Sequence, residues 1–200
     1  MEIAKVFRSK PYKTGIALSG GGIKGMCHAG VLKALEEIGI KPDIISGVSA
    51  GAIVGALYAD GYTPDEIATL FEDISFRQMT KFRIPDGGLF RIDAFEEFML
   101  KNLRAKTFEA LKIPLRIVAT NLDKGTSVVF EKGNLINPII ASCSVPVLKK
   151  KKKIDGVNYV DGGVLKNFPV STIHNDCDKV IGINASPLVA DDDKLLLMNV

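Results

Sequence analysis

Apolar residues follow two different spacings along the chain, and these spacings predict alternating strands and helices. Short apolar runs predict buried strands at residues 16–18, 43–46, 115–120, 126–130, 158–160 and 179–183. After residue 25, Val31, Leu35 and Ile38 recur at the spacing of one helix face, and similar spacing predicts helices after residues 49, 63, 93 and 134. Strands that alternate with helices predict an α/β fold with a mostly parallel sheet.

The segment Thr63-Pro64-Asp65-Glu66 is typical of a helix start, with a capping threonine, a proline in the first turn and a glutamate three residues after the cap. Residues 75–90 are predicted to be a loop or a partial helix, with a turn at 86–88. We expect residues 1–13 to form an N-terminal arm and residues 14–200 to form a single domain. The last residues look cut off in mid-element, so we expect the native chain to continue.

The composition is that of an ordinary soluble globular protein. The hydrophobic share is 46%, the charged share is 24%, and the formal net charge of +3 gives no reason to expect a nucleic acid partner. Three cysteines without a C-x-x-C pair indicate a reducing compartment and neither disulfides nor a zinc site. The sequence shows no secretory signal and no run approaching the ~18 apolar residues of a membrane-spanning helix. We therefore expect a cytoplasmic protein that meets a membrane only from outside.

The sequence Gly47-Val48-Ser49-Ala50-Gly51 lies between a predicted strand and a predicted helix. It fits the pattern G-x-S-x-G, in which a sharp turn lifts the serine hydroxyl above a sheet. Gly47 and Gly51 avoid collisions at such a turn, and the positive end of the following helix favours a developing anion. A serine that only caps a helix would give the same string, so this motif alone leaves both interpretations open.

A glycine-rich loop follows the first predicted strand. Its spacing Gly20-x-Gly22-x-x-Gly25 also matches the dinucleotide-binding fingerprint, so a nucleotide-binding protein is the alternative function. That fingerprint needs an acidic residue at the end of the second strand, whereas Asp43 precedes this strand. The N–H groups of Gly21 and Gly22 can instead donate to the oxyanion of a reaction intermediate, with Lys24 near enough to help neutralise charge. A plain glycine turn without a ligand is the third interpretation.

A nucleophilic serine needs a base, and the chain has only two histidines. His28 lies in the first predicted helix, where a structural role is favoured, and His174 lies in a polar stretch that is typical of a surface. Asp161 ends a predicted strand and is followed by two glycines, so its carboxylate can approach another segment closely. We predict that Asp161 accepts the proton of Ser49 directly. A triad of Ser49, Asp161 and His174 is the alternative.

Three motifs in this order resemble the patatin-like phospholipase family: SGGGIKG at 19–25, GVSAG at 47–51 and YVDGG at 159–163. The segments at 141–146 and 154–170 also resemble that family, and the likeness runs from about residue 14 to residue 185. The resemblance implies a lipid acyl hydrolase, an enzyme that cleaves carboxylic esters of lipids without a metal or another cofactor. It also implies a three-layer α/β/α sandwich around a central sheet.

The resemblance implies a role for each matching residue. Ser49 would be the nucleophile, Asp161 would be the base, and Asn167 and Pro169 would shape the loop after the aspartate. The oxyanion loop would contain Gly20, Gly21, Gly22 and Gly25, with Lys24 among them.

Five consecutive lysines occupy positions 149–153. The favoured interpretation is a solvated loop. The functional alternative is a patch that contacts the anionic headgroups of a membrane surface, with each lysine contributing roughly 1 kcal/mol.

Overall fold

The computed structural model describes residues 9–81, 92–146 and 152–186. The turn predicted at 86–88 lies outside the described residues, as do the first three lysines of the run at 149–153. Most of the predicted N-terminal arm and the last residues, 187–200, also lie outside them.

One mixed sheet organises the described part of the chain. Its strands are β1 (Tyr12–Leu18), β2 (Ile44–Val48), β3 (Leu115–Asn121), β4 (Thr126–Phe130), β5 (Lys152–Ile154), β6 (Val157–Asp161) and β7 (Cys177–Ile183). Parallel pairing joins β7 to β1, β1 to β2 and β2 to β3. Antiparallel pairing joins β4 to β3, β6 to β3 and β5 to β6. The predicted α/β class is therefore confirmed, and the antiparallel strands come from two hairpins.

The described helices are α1 (Met26–Glu37), α2 (Ala50–Ala59), α3 (Pro64–Lys81), α4 (Ile92–Asn102) and α5 (Ile136–Ser142). The predicted start of α3 is confirmed, because the Thr63 amide donates to Glu66 Oε2 at 2.8 Å and the Glu66 amide donates to Thr63 Oγ1 at 3.3 Å. These two bonds satisfy amides that a helix start would otherwise leave unpaired.

The core lies on both faces of the sheet because successive side chains of a strand point to opposite faces. Ile16 and Leu18 of β1 pack in a large cluster with residues of α1 and α2. Ala17 points the other way and packs against Ile173 and Cys177, so the segment that leads into β7 covers this second face. Among the described residues, helices cover one face of the sheet, and the segment with the 3-10 turn Pro169–Thr172 covers part of the other face.

Three elements differ from the sequence-based expectation. β1 begins at Tyr12 and is longer than the apolar run predicted, because its first residues pair with β7. α4 begins at Ile92, so the predicted cap Asp93 lies inside the helix. Lys152 and Lys153 belong to β5, and Lys152 Nζ lies 3.0 Å from Glu96 Oε1, so the end of the lysine run is not a solvated loop.

Candidate active site

Ser49 lies on a strained turn, the elbow, which joins the end of β2 at Val48 to the start of α2 at Ala50. Its backbone angles are φ 51° and ψ −119°, a region that residues other than glycine rarely adopt. A Cβ placed on Gly51 would lie 2.6 Å from the Ser19 carbonyl oxygen, and one on Gly47 would lie 2.8 Å from Ala52 Cα, so neither position can carry a side chain without backbone movement. Strain of this kind at a polar side chain is a reason to suspect function.

The strand register brings Ser49 and Asp161 to the same place in the sheet. β2 and β4 both pair with Val118, so these two strands lie on opposite edges of β3. β4 and β6 both pair with Ala119, so β6 lies on the same edge of β3 as β2. Val48 is opposite Val118 and Asp161 is opposite Ala119, so they occupy successive positions, about 3.3 Å apart along β3. β2 ends just before Ser49 and β6 ends at Asp161, so the two strands run towards each other and both leave the sheet at this point.

The residues that follow Asp161 confirm that these two segments touch. A Cβ placed on Gly162 would lie 3.1 Å from Val48 Cγ1, the side chain just before Ser49. Asp161 itself is only 6% exposed, and its Oδ1 accepts a hydrogen bond from the Gly163 amide at 2.7 Å. The turn after Asp161 therefore holds the carboxylate in a position beside the elbow that is almost inaccessible to solvent.

The glycine loop between β1 and α1 adjoins the same elbow. A Cβ placed on Gly20 would lie 3.4 Å from the Ser49 Cβ, and one on Gly25 would collide with the Ala50 Cβ. Gly22 has φ +56°, which favours glycine, and no atom lies within 4 Å of where its Cβ would be. The loop therefore passes next to Ser49 with an open surface at Gly22.

Hydrogen bonds divide the amides of this loop into two groups. The Gly20 amide donates to the Asn167 carbonyl at 3.0 Å, and the Lys24 amide donates to the Gly21 carbonyl at 3.1 Å. The amides of Gly21 and Gly22 have no acceptor among the residues that the structure describes. Two neighbouring unpaired N–H groups form a site that can receive an anion.

Asn167 lies between the glycine loop and the turn after Asp161. Besides the bond from Gly20 to its carbonyl, its Nδ2 donates to Ser186 Oγ at 2.8 Å, and Ser186 Oγ donates to the Gly20 carbonyl at 3.0 Å. Its Oδ1 would lie 2.8 Å from a Cβ placed on Gly163 and would collide with one on Gly20. Asn167 therefore fixes the distance between the two loops, and the sequence indicated this position only through the resemblance.

The hydrogen bonds of both histidines within the described residues go to backbone carbonyls and not to Ser49. His28 is fully buried, and its Nε2 lies 2.9 Å from the Ser19 carbonyl, just before the glycine loop. Burial lowers the pKa of His28, and its Nδ1 has no hydrogen-bond partner among the described residues. His174 is exposed, and its Nδ1 lies 3.4 Å from the carbonyl of its neighbour Ser171. Both histidines therefore have the structural and surface positions that the sequence favoured.

Different groups lie at the amino-terminal ends of the parallel strands, away from Ser49. Asp43 precedes β2, and its Oδ2 accepts from the amides of Lys13 and Thr14 at 3.0 and 2.8 Å. It is therefore far from the end of β2 where a dinucleotide site would need a carboxylate. A cavity of about 440 Å³ lies at the same amino-terminal ends of the strands, between Tyr12 and Arg116, so it does not adjoin Ser49 at the carboxyl end of β2.

Exposed apolar side chains occur in the segments around the elbow. Ile23 belongs to the glycine loop, Val145 follows α5, and Val164, Leu165 and Phe168 follow Asp161. These side chains belong to segments that adjoin Ser49 or Asp161, and a contiguous exposed apolar patch is typical of contact with another protein or a membrane. Within the described part of the chain, the helices are too short or too polar to cross a bilayer.

A serine on a tight turn between a parallel strand and a helix is the layout of an α/β enzyme with a nucleophile elbow. The family description "Patatin-like phospholipase" matches residues 16–173. The chain therefore belongs to the patatin-like phospholipase family. This membership supports lipid hydrolase activity.

Individual relatives resemble most of this chain. The uncharacterized protein YqhO of Bacillus subtilis is 32% identical, over 90% of this chain and 74% of YqhO. Neuropathy target esterase sws of Drosophila melanogaster is 29% identical over 80% of this chain, which spans only 12% of that esterase. The crystal structure of VipD from Legionella pneumophila matches with a TM-score of 0.57 at 20% identity, over 80% of this chain and 47% of VipD. This last likeness shows a shared fold.

Proposed function

We propose that the protein is a lipid acyl hydrolase in which Ser49 is the nucleophile and Asp161 is its base. One observation carries this proposal: β2 and β6 share an edge of β3, so the strained turn at Ser49 and the buried carboxylate of Asp161 occupy adjacent positions. A hydroxyl nucleophile is weak at its ordinary pKa and needs an adjacent general base for acyl transfer, and Asp161 would supply that base.

In the first half-reaction, Ser49 Oγ attacks the acyl carbonyl carbon of the lipid ester, and its proton passes to the Asp161 carboxylate. The carbonyl electron pair moves onto oxygen to form a tetrahedral oxyanion. When the carbon–oxygen bond to the alcohol breaks, the alcohol or lysolipid leaves with the proton from Asp161. In the second half-reaction a water gives a proton to Asp161 and attacks the acyl-serine. Ser49 regains that proton as the fatty acid departs.

The glycine loop supplies the electrostatic part of this mechanism. We assign the oxyanion to the unpaired amides of Gly21 and Gly22, and removing one such donor typically costs about 3 kcal/mol in the transition state. Gly20 and Gly25 let the loop approach the elbow, since a Cβ on either would meet Ser49 or Ala50. The exposed side chain of Lys24 adds positive charge to the same loop.

The exposed apolar residues around the elbow favour a lipid over a small polar ester. The side chains of Ile23, Leu165 and Phe168 leave apolar area open to solvent beside the site, where an acyl chain or a lipid surface can cover it. We therefore propose peripheral contact with a membrane through this side of the molecule. Lys152 is paired with Glu96, so its charge is partly neutralised and contributes less to attraction of anionic headgroups than an unpaired lysine.

Three variants test the assignment. Ser49→Ala is expected to abolish hydrolysis of p-nitrophenyl butyrate and of phospholipid. Asp161→Asn keeps an oxygen for the Gly163 amide but removes the base, and should lower kcat by about 10²- to 10⁴-fold. His174→Ala should change kcat by less than about two-fold, as is usual for an exposed residue outside the site. Retained turnover in Ser49→Ala would refute the proposal, and a large loss in His174→Ala would favour a triad.

A further inference from the structure

The hydroxyl group of Ser142 joins the elbow to the centre of the sheet. Ser142 is the last residue of α5 and is fully buried. Its Oγ accepts a hydrogen bond from the Ser49 amide at 2.8 Å and donates one to the Val118 carbonyl at 2.6 Å. A serine hydroxyl has one proton to donate and lone pairs to accept, so both bonds form at once.

The Val118 carbonyl is also where the segment of Asp161 meets β3. A Cβ placed on Gly162 would collide with this oxygen, so the turn after Asp161 lies directly against it. Val118 is the residue opposite Val48, and the next residue of β3 is opposite Asp161. The bond from Ser142 therefore ends at the point of β3 that lies between the two proposed catalytic residues.

The elbow needs such a fixed partner because its backbone is strained. A serine at φ 51° persists only where the surroundings over-determine its conformation. Relaxation of the turn would rotate the Ser49 amide away from α5 and would move Oγ with it. The hydrogen bond to Ser142 opposes this rotation.

We propose that Ser142 is a positioning residue that holds Ser49 at its working distance from Asp161 by tying the Ser49 amide to the Val118 carbonyl. This inference rests on the proposed function. It also implies that the Ser49 amide is committed to Ser142, so that the oxyanion depends on the glycine loop and not on the nucleophile's own N–H.

The chain offers a matched control in Ser46. It is also fully buried, and its Oγ lies 2.7 Å from Thr172 Oγ1, on a different side of β2 from the contact made by Ser142. Ser142→Ala and Ser46→Ala each remove one buried hydroxyl, and only the first removes the bond to the elbow. The two variants are compared by kcat and KM on p-nitrophenyl butyrate, by thermal unfolding and by amide hydrogen exchange at Ser49.

Ser142→Ala is expected to lower kcat by about 10- to 100-fold with KM changed by less than about two-fold, because a displacement below 1 Å impairs the reaction more than binding. Exchange of the Ser49 amide should become at least about ten-fold faster, since the protecting bond is lost. Ser46→Ala should lower the unfolding temperature by about as much as Ser142→Ala does, while kcat and the exchange rate of the Ser49 amide stay near their wild-type values. The proposal is overturned if Ser142→Ala keeps its kcat, if both variants lose kcat equally, or if exchange at Ser49 does not change.

The readouts separate this inference from the proposed function. Hydrogen exchange at Ser49 requires no turnover, so it tests the bond itself even in a protein without esterase activity. A wild type that hydrolyses no ester refutes the function and removes the catalytic role of Ser142 with it. An active wild type whose Ser142→Ala variant is equally active refutes only the role of Ser142.

Discussion

Gly162 is the position where a single methyl group tests the geometry of the site. In Gly162→Ala the new Cβ would lie 2.8 Å from the carbonyl carbon of Val118 and 3.1 Å from Val48 Cγ1, and it would also collide with the Val118 oxygen. These neighbours are the backbone of a central strand and a fully buried side chain, so neither can move away easily. The end of β6 must therefore shift by at least about half an ångström, and Asp161 shifts with it.

The size of the effect follows from this displacement. Overpacking of a dense interior typically costs about 1–3 kcal/mol of folding free energy. Misplacement of a catalytic group by about 1 Å can cost on the order of 10²-fold in rate, so we expect kcat for p-nitrophenyl butyrate to fall about 10- to 100-fold. Chemical denaturation and steady-state kinetics at a temperature where both proteins are folded measure the two quantities separately.

A second glycine provides the control. Gly30 lies in α1, and a Cβ placed on it meets no atom within 4 Å. Gly30→Ala should leave kcat unchanged and should stabilise the protein by about 0.5–1 kcal/mol, because alanine is the better helix former. If Gly162→Ala is as active as Gly30→Ala, the ends of β2 and β6 do not form the site and the reasoning fails.

Two further predictions concern the lipid surface and pH. Leu165 lies next to the turn after Asp161 and is 50% exposed. Leu165→Ser should weaken apparent binding to phosphatidylcholine–phosphatidylglycerol vesicles by roughly 5- to 10-fold, because it removes about half of the free energy of burying a leucine side chain. In Leu165→Ser, hydrolysis of soluble p-nitrophenyl butyrate should stay unchanged. The control is Ile38→Ser, because Ile38 is 70% exposed at the far end of α1, and this variant should change neither vesicle binding nor hydrolysis. An equal loss of vesicle binding in both variants would contradict a docking role for Leu165. Burial lowers the pKa of His28 below 6.5, so the unfolded chain takes up the proton first and wild-type stability should fall as pH decreases below 6.5, by at most about 1.4 kcal/mol per pH unit. Denaturation of wild type and His28→Gln between pH 7.5 and 5.5 checks this, and identical pH slopes would be the contrary result.

Local motifs were predictable because the chain conformation they require depends on few neighbouring residues. The start of α3 at Thr63 and the turn at Ser49 each depend on a short run of side chains with specific backbone demands. In contrast, Lys152 and Lys153 have little preference for strands, and only pairing with β6 places them in one. Long-range pairing of this kind leaves no mark in the local pattern.

The arrangement of the candidate site was only partly predictable for the same reason. The sequence identified Ser49 and Asp161 as candidates, but it could not show that β2 and β6 lie end to end along one edge of β3. Ser142 gave no signal as a functional residue, because a serine near a helix end is common and its partners are 93 and 24 positions away along the chain. Such contacts are visible only after the sheet has assembled.

Because β2 and β6 meet end to end along β3, the position of Asp161 beside Ser49 depends on the correct pairing of both strands. A slip of the β5–β6 hairpin by one residue along β3 would turn the Asp161 carboxylate to the other face of the sheet, because side chains alternate along a strand. A misregistered molecule could keep most of its core and still carry an inert serine. If Ser49 and Asp161 act as proposed, hydrolysis therefore requires the correct register of this hairpin on β3 and not only the presence of both residues.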